Sequence, residues 1–158
     1  MRALRLSRQA PIEDRPLELV EVPDPVPGDG EVLLRVSACG VCRTDLQIVE
    51  GDIDAHRRPV TPGHQAVGRV EAVGPGVSGW KEGDRGGVAW LAGACGRCPA
   101  CTSERENLCP YATFTGWDRD GGYAERVVAR ADMTFHLPEG FHSVLASHHS
   151  PSRAGAIA

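Results

Sequence analysis

The hydrophobic pattern consists of short apolar runs separated by turn-forming segments. Residues 31–38 are rich in valine and leucine and predict a mostly buried strand, which Gly40 ends. Residues 66–73 predict a second strand, with Gly68 at a bulge or bend. Residues 42–50 suit a short helix. Further strands are predicted at residues 85–90, 121–130 and 135–138.

Composition supports a fold built from short strands. The 158 residues suffice for one domain or one domain with an extension, and 41% of them are apolar. The 19 glycines and 12 prolines favour turns over long helices. We expect a mainly β fold, an irregular β-barrel or sandwich with short helices. Because the pattern weakens at Ser143, we expect one domain over residues 1–142 and, over residues 143–158, an irregular tail or the start of something longer.

Charge and the N-terminal residues exclude several classes of partner. The net charge is -4 and no basic run stands out, so nucleic acid and anionic membranes are poor candidates. The first ten residues contain three arginines and no continuous apolar stretch, which predicts neither a signal peptide nor a membrane span. No later segment reaches transmembrane length. We expect a soluble, cytoplasmic protein.

Four of the six cysteines follow a pattern typical of metal ligands. Cys95, Cys98 and Cys101 are separated by two-residue gaps, and Cys109 follows the third after seven residues. Thiolates are preferred ligands of structural zinc, so the pattern predicts one structural zinc ion in a lobe at residues 95–109. Disulfides, an iron–sulfur cluster and buried thiols are the alternatives. The missing secretory signal argues against disulfides, whereas ferredoxins do combine three close cysteines with a remote fourth.

Cys42 and His64 suggest a second metal position. Either residue alone carries little weight, but both belong to an ordered set of motifs. The set consists of Gly40–Asp45, Gly63–His64, Gly83–Arg85, the four-cysteine lobe and Asp120–Glu125. In this ordered set, over about residues 1–140, the sequence resembles the zinc-dependent medium-chain alcohol dehydrogenases.

The resemblance implies a GroES-like β-barrel catalytic domain and NAD(P)-linked interconversion of small alcohols with aldehydes or ketones. It implies that Cys42 and His64 hold a catalytic zinc, with a third protein ligand further along the chain and an open position for water or alcohol. Thr44 matches the hydroxyl that passes the alcohol proton outward. Asp45 matches a carboxylate that orients the ligand histidine.

Four residues near these positions have a family counterpart, a simpler explanation or both. Arg43 matches a position that contacts the cofactor pyrophosphate in some members. Trp90 falls where the family places an apolar wall of the substrate pocket, although a plain core role is an equal alternative. Thr44 has the alternative of serving only as a helix-cap hydroxyl. Cys39 is expected to be a buried thiol that binds no metal.

The sequence also departs from the family pattern. Gln65 stands where many members carry glutamate, and Gln47 where some carry a relay histidine; an amide neither adds negative charge nor shuttles protons near neutral pH. The third zinc ligand is expected beyond residue 140, yet no cysteine follows the lobe. His148 or His149 could replace it chemically.

The cofactor domain of the family has no counterpart in the pattern. Residues 74–79 satisfy G-x-G-x-x-G after a strand, but no apolar helix follows, so we interpret them as a turn. We therefore expect a chain truncated before the Rossmann domain, inactive by itself, from a family that forms homo-oligomers. The alternatives are a non-catalytic zinc-stabilised interaction module and an electron-transfer iron–sulfur protein.

Overall fold

The computed structural model describes residues 1–140 and 142–148, which form a mainly β structure. Nine strands and two α-helices occur in this part of the chain. The strands are β1 (Arg2–Leu6), β2 (Leu17–Glu21), β3 (Glu31–Cys39), β4 (Ala66–Val73), β5 (Arg85–Val88), β6 (Leu91–Gly93), β7 (Thr113–Phe114), β8 (Arg126–Arg130) and β9 (Thr134–His136). The helices are α1 (Arg43–Glu50) and α2 (Ser143–His148). This confirms the predicted fold class.

A five-stranded antiparallel sheet forms the centre of the molecule. Its strand order is β8-β3-β4-β5-β9. The β-branched and leucine side chains that predicted β3 and β4 pack into one core, together with residues from the flanking strands. The core residues are Val32, Leu34, Ala66, Val70, Val88, Val127 and Ala129. Burial of this apolar surface is the main stabilising contribution to the barrel-like half of the domain.

Gly68 lies beside an irregularity in the pairing of β3 with β4, as the sequence predicted. The register shifts between Val36 and Ala38, directly opposite Gly68. A Cβ atom at Gly68 would lie 2.1 Å from the carbonyl oxygen of Arg35. Only glycine allows this close approach of the two longest strands.

Helix α1 packs on a second apolar cluster. Ile48 and Val49 on one face of α1 meet Leu6 of β1 and Val60 of the loop before β4. The helix ends at Gly51, whose φ of 94° provides the left-handed C-cap conformation. The contact with Val60 fixes α1 relative to the loop that carries His64.

Two segments differ from what the sequence predicted, and a third had been left open. The hairpin of β1 and β2 was not predicted. Residues 121–125 were expected to form the start of a strand, but the strand begins at Arg126. Residues 121–123 instead bond to the loop at residues 61–63, and residues 124 and 125 pair with β1. Residues 143–148, where the sequence left open an irregular tail or the start of something longer, form α2, which packs against β3 and β4.

The dinucleotide-like motif forms a turn, as predicted. Strand β4 ends at Val73, and no α-helix follows before β5. The carbonyl of Pro75 accepts a hydrogen bond of 2.8 Å from the Gly30 N–H, which ties this turn to the start of β3. All strand pairs in the three described sheets are antiparallel, so the described residues contain no βαβ unit. None of the described helices is long and apolar enough to cross a membrane.

Candidate metal centre and active site

The first half of the candidate site lies at the N-terminus of α1. Cys42 directly precedes the helix in an extended conformation, and its N–H donates a hydrogen bond of 2.9 Å to Oδ2 of Asp45. The backbone N–H of Asp45 in turn donates to the Cys42 carbonyl at 3.2 Å. This reciprocal pair satisfies backbone groups at the helix end and fixes both side chains relative to each other.

The second half lies on the loop that carries His64. Gly63 has a φ of 95°, which turns the chain sharply just before the histidine. Three N–H groups of residues 121–123 donate to carbonyls of this loop, to Thr61 at 2.7 Å, to Gly63 at 2.7 Å and to Pro62 at 3.0 Å. We call residues 121–123 the strap. The strap holds a loop that has no regular secondary structure of its own.

The two halves bring Cys42, Asp45 and His64 together. His64 Nε2 lies 3.3 Å from Cys42 Sγ, and His64 Nδ1 lies 3.1 Å from Asp45 Oδ1. With Nδ1–H donating to the carboxylate, Nε2 presents its lone pair toward Cys42. Sulfur and nitrogen ligands bound to one tetrahedral zinc lie about 3.5 Å apart, so the pair fits a zinc ion. A carboxylate bonded to Nδ1 would orient His64 if the histidine bound a metal.

The electrostatics of Asp45 favour its ionised form. Burial raises the pKa of Asp45, but hydrogen bonds from His64 and from the Cys42 N–H more than offset this effect. The net pKa lies below the ordinary value of an aspartate. The buried carboxylate therefore stays anionic beside His64.

Aromatic rings line one side of His64. The Trp90 ring meets the imidazole edge-on, with ring centroids 5.1 Å apart. Phe114 and Trp117 stack with Trp90 at 4.8 Å and 5.8 Å. The aromatic wall (Trp90, Phe114 and Trp117) thus places an apolar surface beside the candidate metal position, whereas the sequence had pointed only to Trp90.

The other residues compared with the family lie on α1 or next to His64. Arg43 is exposed at the first position of α1 and lies 3.8 Å from the Asp52 carboxylate. Thr44 is half-buried in the first turn of α1, and since Cys42 is the N-cap, Thr44 does not occupy the capping position. Gln65 packs against Gly40, where an added Cβ would lie 2.9 Å from Gln65 Oε1. Gln47 lies further along α1.

The four-cysteine lobe forms a separate cluster. The sulfurs of Cys95, Cys98, Cys101 and Cys109 all lie within 4.8 Å of one another. Cys98 and Cys101 are 3.5 Å apart, and Cys95 and Cys101 are 3.9 Å apart. Four sulfurs bound to one tetrahedral zinc lie about 3.8 Å apart, so the cluster fits that ion. All six cysteines of the chain lie in the described part and are free, which excludes disulfides in this structure.

The pKa values of two cysteines in the lobe, Cys95 and Cys101, suit the binding of a cation. Backbone N–H groups of Arg97 and Cys98 lower the pKa of Cys95 to about 6. Burial and the neighbouring Cys98 sulfur raise the pKa of Cys101 to about 12. One thiolate thus forms readily while the next is costly without a positive charge, and a divalent cation supplies that charge.

The sequence also made predictions about Cys39, as a thiol that binds no metal, and about His148 and His149, as possible replacement ligands. Cys39 belongs to neither group of potential metal ligands among the described residues, and burial raises the pKa of its thiol to about 12. His149 lies outside the described residues. His148 is the last residue of α2, and its side chain lies outside the described part.

Comparison with known proteins decides the family. The alcohol dehydrogenase GroES-like domain matches residues 28–139. The chain belongs to this family. The matched range contains the barrel sheet, α1, the aromatic wall, the strap and both sulfur-containing clusters, so the GroES-like domain accounts for most of the described structure.

Individual relatives support the assignment. The probable alcohol dehydrogenase AdhA of Mycobacterium tuberculosis (strain CDC 1551 / Oshkosh) is 47% identical over 146 residues, which cover 89% of this chain and 42% of the relative. A cobalt- and zinc-bound thermostable alcohol dehydrogenase from Pyrobaculum aerophilum superposes with a TM-score of 0.84 at 34% identity, covering 93% of this chain and 44% of that one. A putative zinc-binding dehydrogenase from Sinorhizobium meliloti 1021, bound to NADP, gives 0.82 at 33% identity, covering 92% and 41%. The GroES-like chain thus spans less than half the length of each.

Besides Phe114 and Trp117, the strap was not foreseen from the sequence. The strap was expected to form a strand, and no role was assigned to Tyr123. A signal was present, because residues 120–125 belonged to the ordered motif set and contain two adjacent glycines, which permit close backbone approach. A Cβ atom at Gly121 would lie 2.1 Å from the Gly63 carbonyl oxygen.

Proposed function

We propose that this chain is the catalytic-domain portion of a zinc-dependent, NAD(P)-linked alcohol dehydrogenase. The complete enzyme interconverts a small alcohol with its aldehyde or ketone. The observation that carries the proposal is the arrangement of His64, with Nε2 facing Cys42 Sγ and Nδ1 bonded to Asp45. A ligand pair oriented by a buried carboxylate, beside an apolar wall, suits a metal that must also bind substrate.

The proposal assigns two zinc positions with different roles. Cys95, Cys98, Cys101 and Cys109 would hold a structural zinc, because four thiolates close the tetrahedron and leave no open position. Cys42 and His64 would hold a catalytic zinc. Because none of the six cysteines, all of which lie in the described residues, forms a disulfide, we place the protein in the reducing cytoplasm.

The residues around the catalytic position have distinct tasks. When bound, zinc acts as a Lewis acid that lowers the pKa of the substrate alcohol. Asp45 keeps His64 in the tautomer with a free Nε2, and Trp90 limits access of water on one side. The proposed role of Thr44 is to accept the alcohol proton and pass it outward. The proposed role of Arg43 is to contact the cofactor phosphates.

The departures from the family pattern limit what residues 1–158 do by themselves. A catalytic zinc with only Cys42 and His64 as protein ligands binds weakly, and Gln65 adds no negative charge beside it. The described residues contain no nicotinamide-binding unit. We therefore expect no turnover from this polypeptide alone, and we assign alcohol oxidation and homo-oligomer formation to the complete enzyme.

Metal analysis of the purified chain tests the proposal. We expect one tightly bound zinc ion per chain in the wild type and in His64→Ala, and none in Cys98→Ser. A second, weaker site should appear on titration with Co²⁺ in the wild type and be absent in His64→Ala. Assays with NAD, NADP and simple alcohols should show no reduction of either cofactor.

Each alternative gives a different result. Zinc in the lobe with no second site in the wild type favours a zinc-stabilised interaction module and contradicts the catalytic assignment. Visible absorption from iron bound to the lobe favours an electron-transfer protein. Alcohol-dependent reduction of NAD(P) by residues 1–158 alone contradicts the assignment of alcohol oxidation to the complete enzyme.

A further inference from the structure

Asp120 directly precedes the strap, and its side chain reaches the loop that carries His64 (the His64 loop). Its Oδ1 accepts a hydrogen bond of 2.8 Å from the Thr61 N–H, and the Gly121 N–H donates to the Thr61 carbonyl at 2.7 Å. Residues 120 and 121 thus satisfy both backbone groups of Thr61. Because Thr61 is only 2% exposed, water does not readily replace either bond.

Two arginines hold the other carboxylate oxygen of Asp120. Nη1 of Arg5 on β1 donates a hydrogen bond of 3.2 Å to Oδ2, and Nη2 of Arg57 lies 3.4 Å from the same oxygen. The Arg5 side chain is only 18% exposed, so its position is restricted. Charged groups on two separate segments therefore orient the carboxylate, and Oδ1 stays directed at the Thr61 N–H.

Asp120 complements the strap at the Thr61 N–H. Upstream of this group the loop is tied to β1, because the N–H and the carbonyl of Val60 bond to Leu6 at 3.1 Å and 2.8 Å. Downstream, the strap donates to the carbonyls of residues 61–63. A buried N–H without an acceptor is unfavourable, and Asp120 supplies that acceptor between these two attachments.

We propose that Asp120 is a positioning residue for His64. By holding the Thr61 N–H, three residues before the histidine, its carboxylate keeps the His64 loop at one position relative to α1. That position sets the distances from the imidazole to Cys42 Sγ, 3.3 Å, and to Asp45 Oδ1, 3.1 Å. The relevance of Asp120 to catalysis rests on the proposed function, whereas the restraint itself needs no metal at the Cys42–His64 position.

Two substitutions separate loss of the hydrogen-bond acceptor from loss of the charge. Asp120→Ala removes both, whereas Asp120→Asn keeps an oxygen that accepts from the Thr61 N–H but removes the charge that pairs with the two arginines. Asp29→Ala, at an exposed turn position, is the control for loss of a surface carboxylate. Each chain is loaded with one equivalent of Zn²⁺ to fill the lobe. Hydrogen exchange at the Thr61 amide, followed by NMR, should be faster by about 10-fold in Asp120→Ala and unchanged in the other two variants.

The tautomer of His64 shows whether the restraint reaches the metal position. NMR of ¹⁵N-histidine-labelled protein, with His64 assigned by comparison with His64→Ala, should show one tautomer with Nδ1–H in the wild type, in Asp120→Asn and in Asp29→Ala. A mixture is expected in Asp120→Ala, because a displaced loop weakens the bond from His64 Nδ1 to Asp45. Thermal stability should fall in both Asp120 variants, since both lose the ion pairs, so a purely structural role would not separate them.

Co²⁺ titration of the same chains measures the consequence for metal binding. The absorbance of His64→Ala is subtracted from each titration. Direct partners of ligand histidines change metal affinity by about 10-fold to 100-fold, and Asp120 acts through the loop backbone, so we expect a loss of about 3-fold to 10-fold in Asp120→Ala. Asp120→Asn should retain the affinity of the wild type.

The outcomes separate the positioning role from the proposed function. An unprotected Thr61 amide in the wild type overturns the positioning role without any variant. A His64 tautomer that stays unchanged in Asp120→Ala, or that changes equally in Asp120→Asn, also overturns it. If the tautomer changes only in Asp120→Ala and the wild type gives no Co²⁺ signal, the positioning role is supported and the catalytic metal site is contradicted. The same tautomer change together with weaker Co²⁺ binding supports both.

Discussion

His64 and Asp45 form a buried pair in which Nδ1 lies 3.1 Å from Oδ1. Only 6% of His64 and 3% of Asp45 are exposed, so water does not compete effectively for this bond. The pair decides which imidazole nitrogen faces Cys42. Replacement of the carboxylate should therefore change the tautomer of His64 and not only lower the stability of the fold.

Asp45→Asn tests this dependence. An amide can present its NH₂ group to Nδ1, which favours the tautomer with the proton on Nε2 and removes the lone pair that a metal needs. We expect Co²⁺ affinity at the Cys42–His64 position to fall by about 10-fold to 100-fold. Isothermal titration with the lobe preloaded with Zn²⁺ measures it. The exposed Asp29→Asn variant serves as a control, and equal affinities in the two variants would count against the orienting role.

Cys98→Ser tests the metal position of the lobe. Serine keeps the size of the side chain but removes one thiolate from a cluster whose sulfurs lie within 4.8 Å of one another. We expect the loss of about one zinc ion per chain and of several kcal/mol of unfolding free energy, since binding of a structural metal is coupled to folding. Atomic absorption and thermal unfolding measure the two effects.

Cys39→Ala is the matched control for the lobe. It also removes a thiol, but from a partly buried residue of β3 outside both clusters, and burial raises the pKa of that thiol to about 12. We expect unchanged zinc content and a loss of about 1 kcal/mol from packing. Loss of zinc in Cys39→Ala, or its retention in Cys98→Ser, would show that the ligand set is different.

The central sheet was predictable because its strands carry their signal locally. Strands β3 and β4 are continuous apolar stretches whose side chains enter one core. The hairpin of β1 and β2 gave no comparable signal, since several of its positions, including Leu19 at 67%, are exposed. Strand β8 begins later than predicted because Gly121 and Gly122 use their N–H groups on the His64 loop rather than on a neighbouring strand.

The candidate site, too, was predictable only where its residues lie close together in the sequence. The four-cysteine cluster could be predicted from spacing, because all of its ligands lie in one short segment. The Asp45–His64 contact joins two distant segments, so only the resemblance to a family suggested it. The position of Tyr123 depends on hydrogen bonds from β1 and from the His64 loop together, and no local pattern encodes that arrangement.

Gly68→Ala tests the close approach of β3 and β4. The new Cβ would lie 2.1 Å from the Arg35 carbonyl oxygen, a backbone atom that moves only with its strand. Overpacking of this kind costs about 1 to 3 kcal/mol, and we expect the upper end because no side chain can move aside. Urea unfolding measures the loss. Gly140→Ala is the control, since its Cβ would meet nothing within 4 Å, and equal stability of the two variants would contradict the argument.

Glu71 provides a test based on pH. Its carboxylate accepts hydrogen bonds from Arg126, with Nε to Oε2 at 2.6 Å, and from Arg35, and these arginines lower the pKa of Glu71 to about 2. A carboxyl group with a lowered pKa in the folded state stabilises that state above its unfolded pKa, about 4.3, and this contribution disappears as the pH falls toward the folded value. The pair is partly exposed, so we expect Glu71→Gln to cost only about 1 kcal/mol at neutral pH.

The pH dependence of this cost distinguishes ionic pairing from packing. Between about pH 7 and pH 5 the difference between wild type and Glu71→Gln should stay constant, and below about pH 4.5 it should shrink. Urea unfolding across this range measures the difference, and both proteins release metal from the lobe alike, so that effect cancels. Glu18→Gln, on the exposed side of β2, should show little difference at any pH. Because packing of an isosteric side chain does not titrate, a cost for Glu71→Gln that persists undiminished to about pH 3 would mean that the arginines do not hold an ionised Glu71 in the folded state.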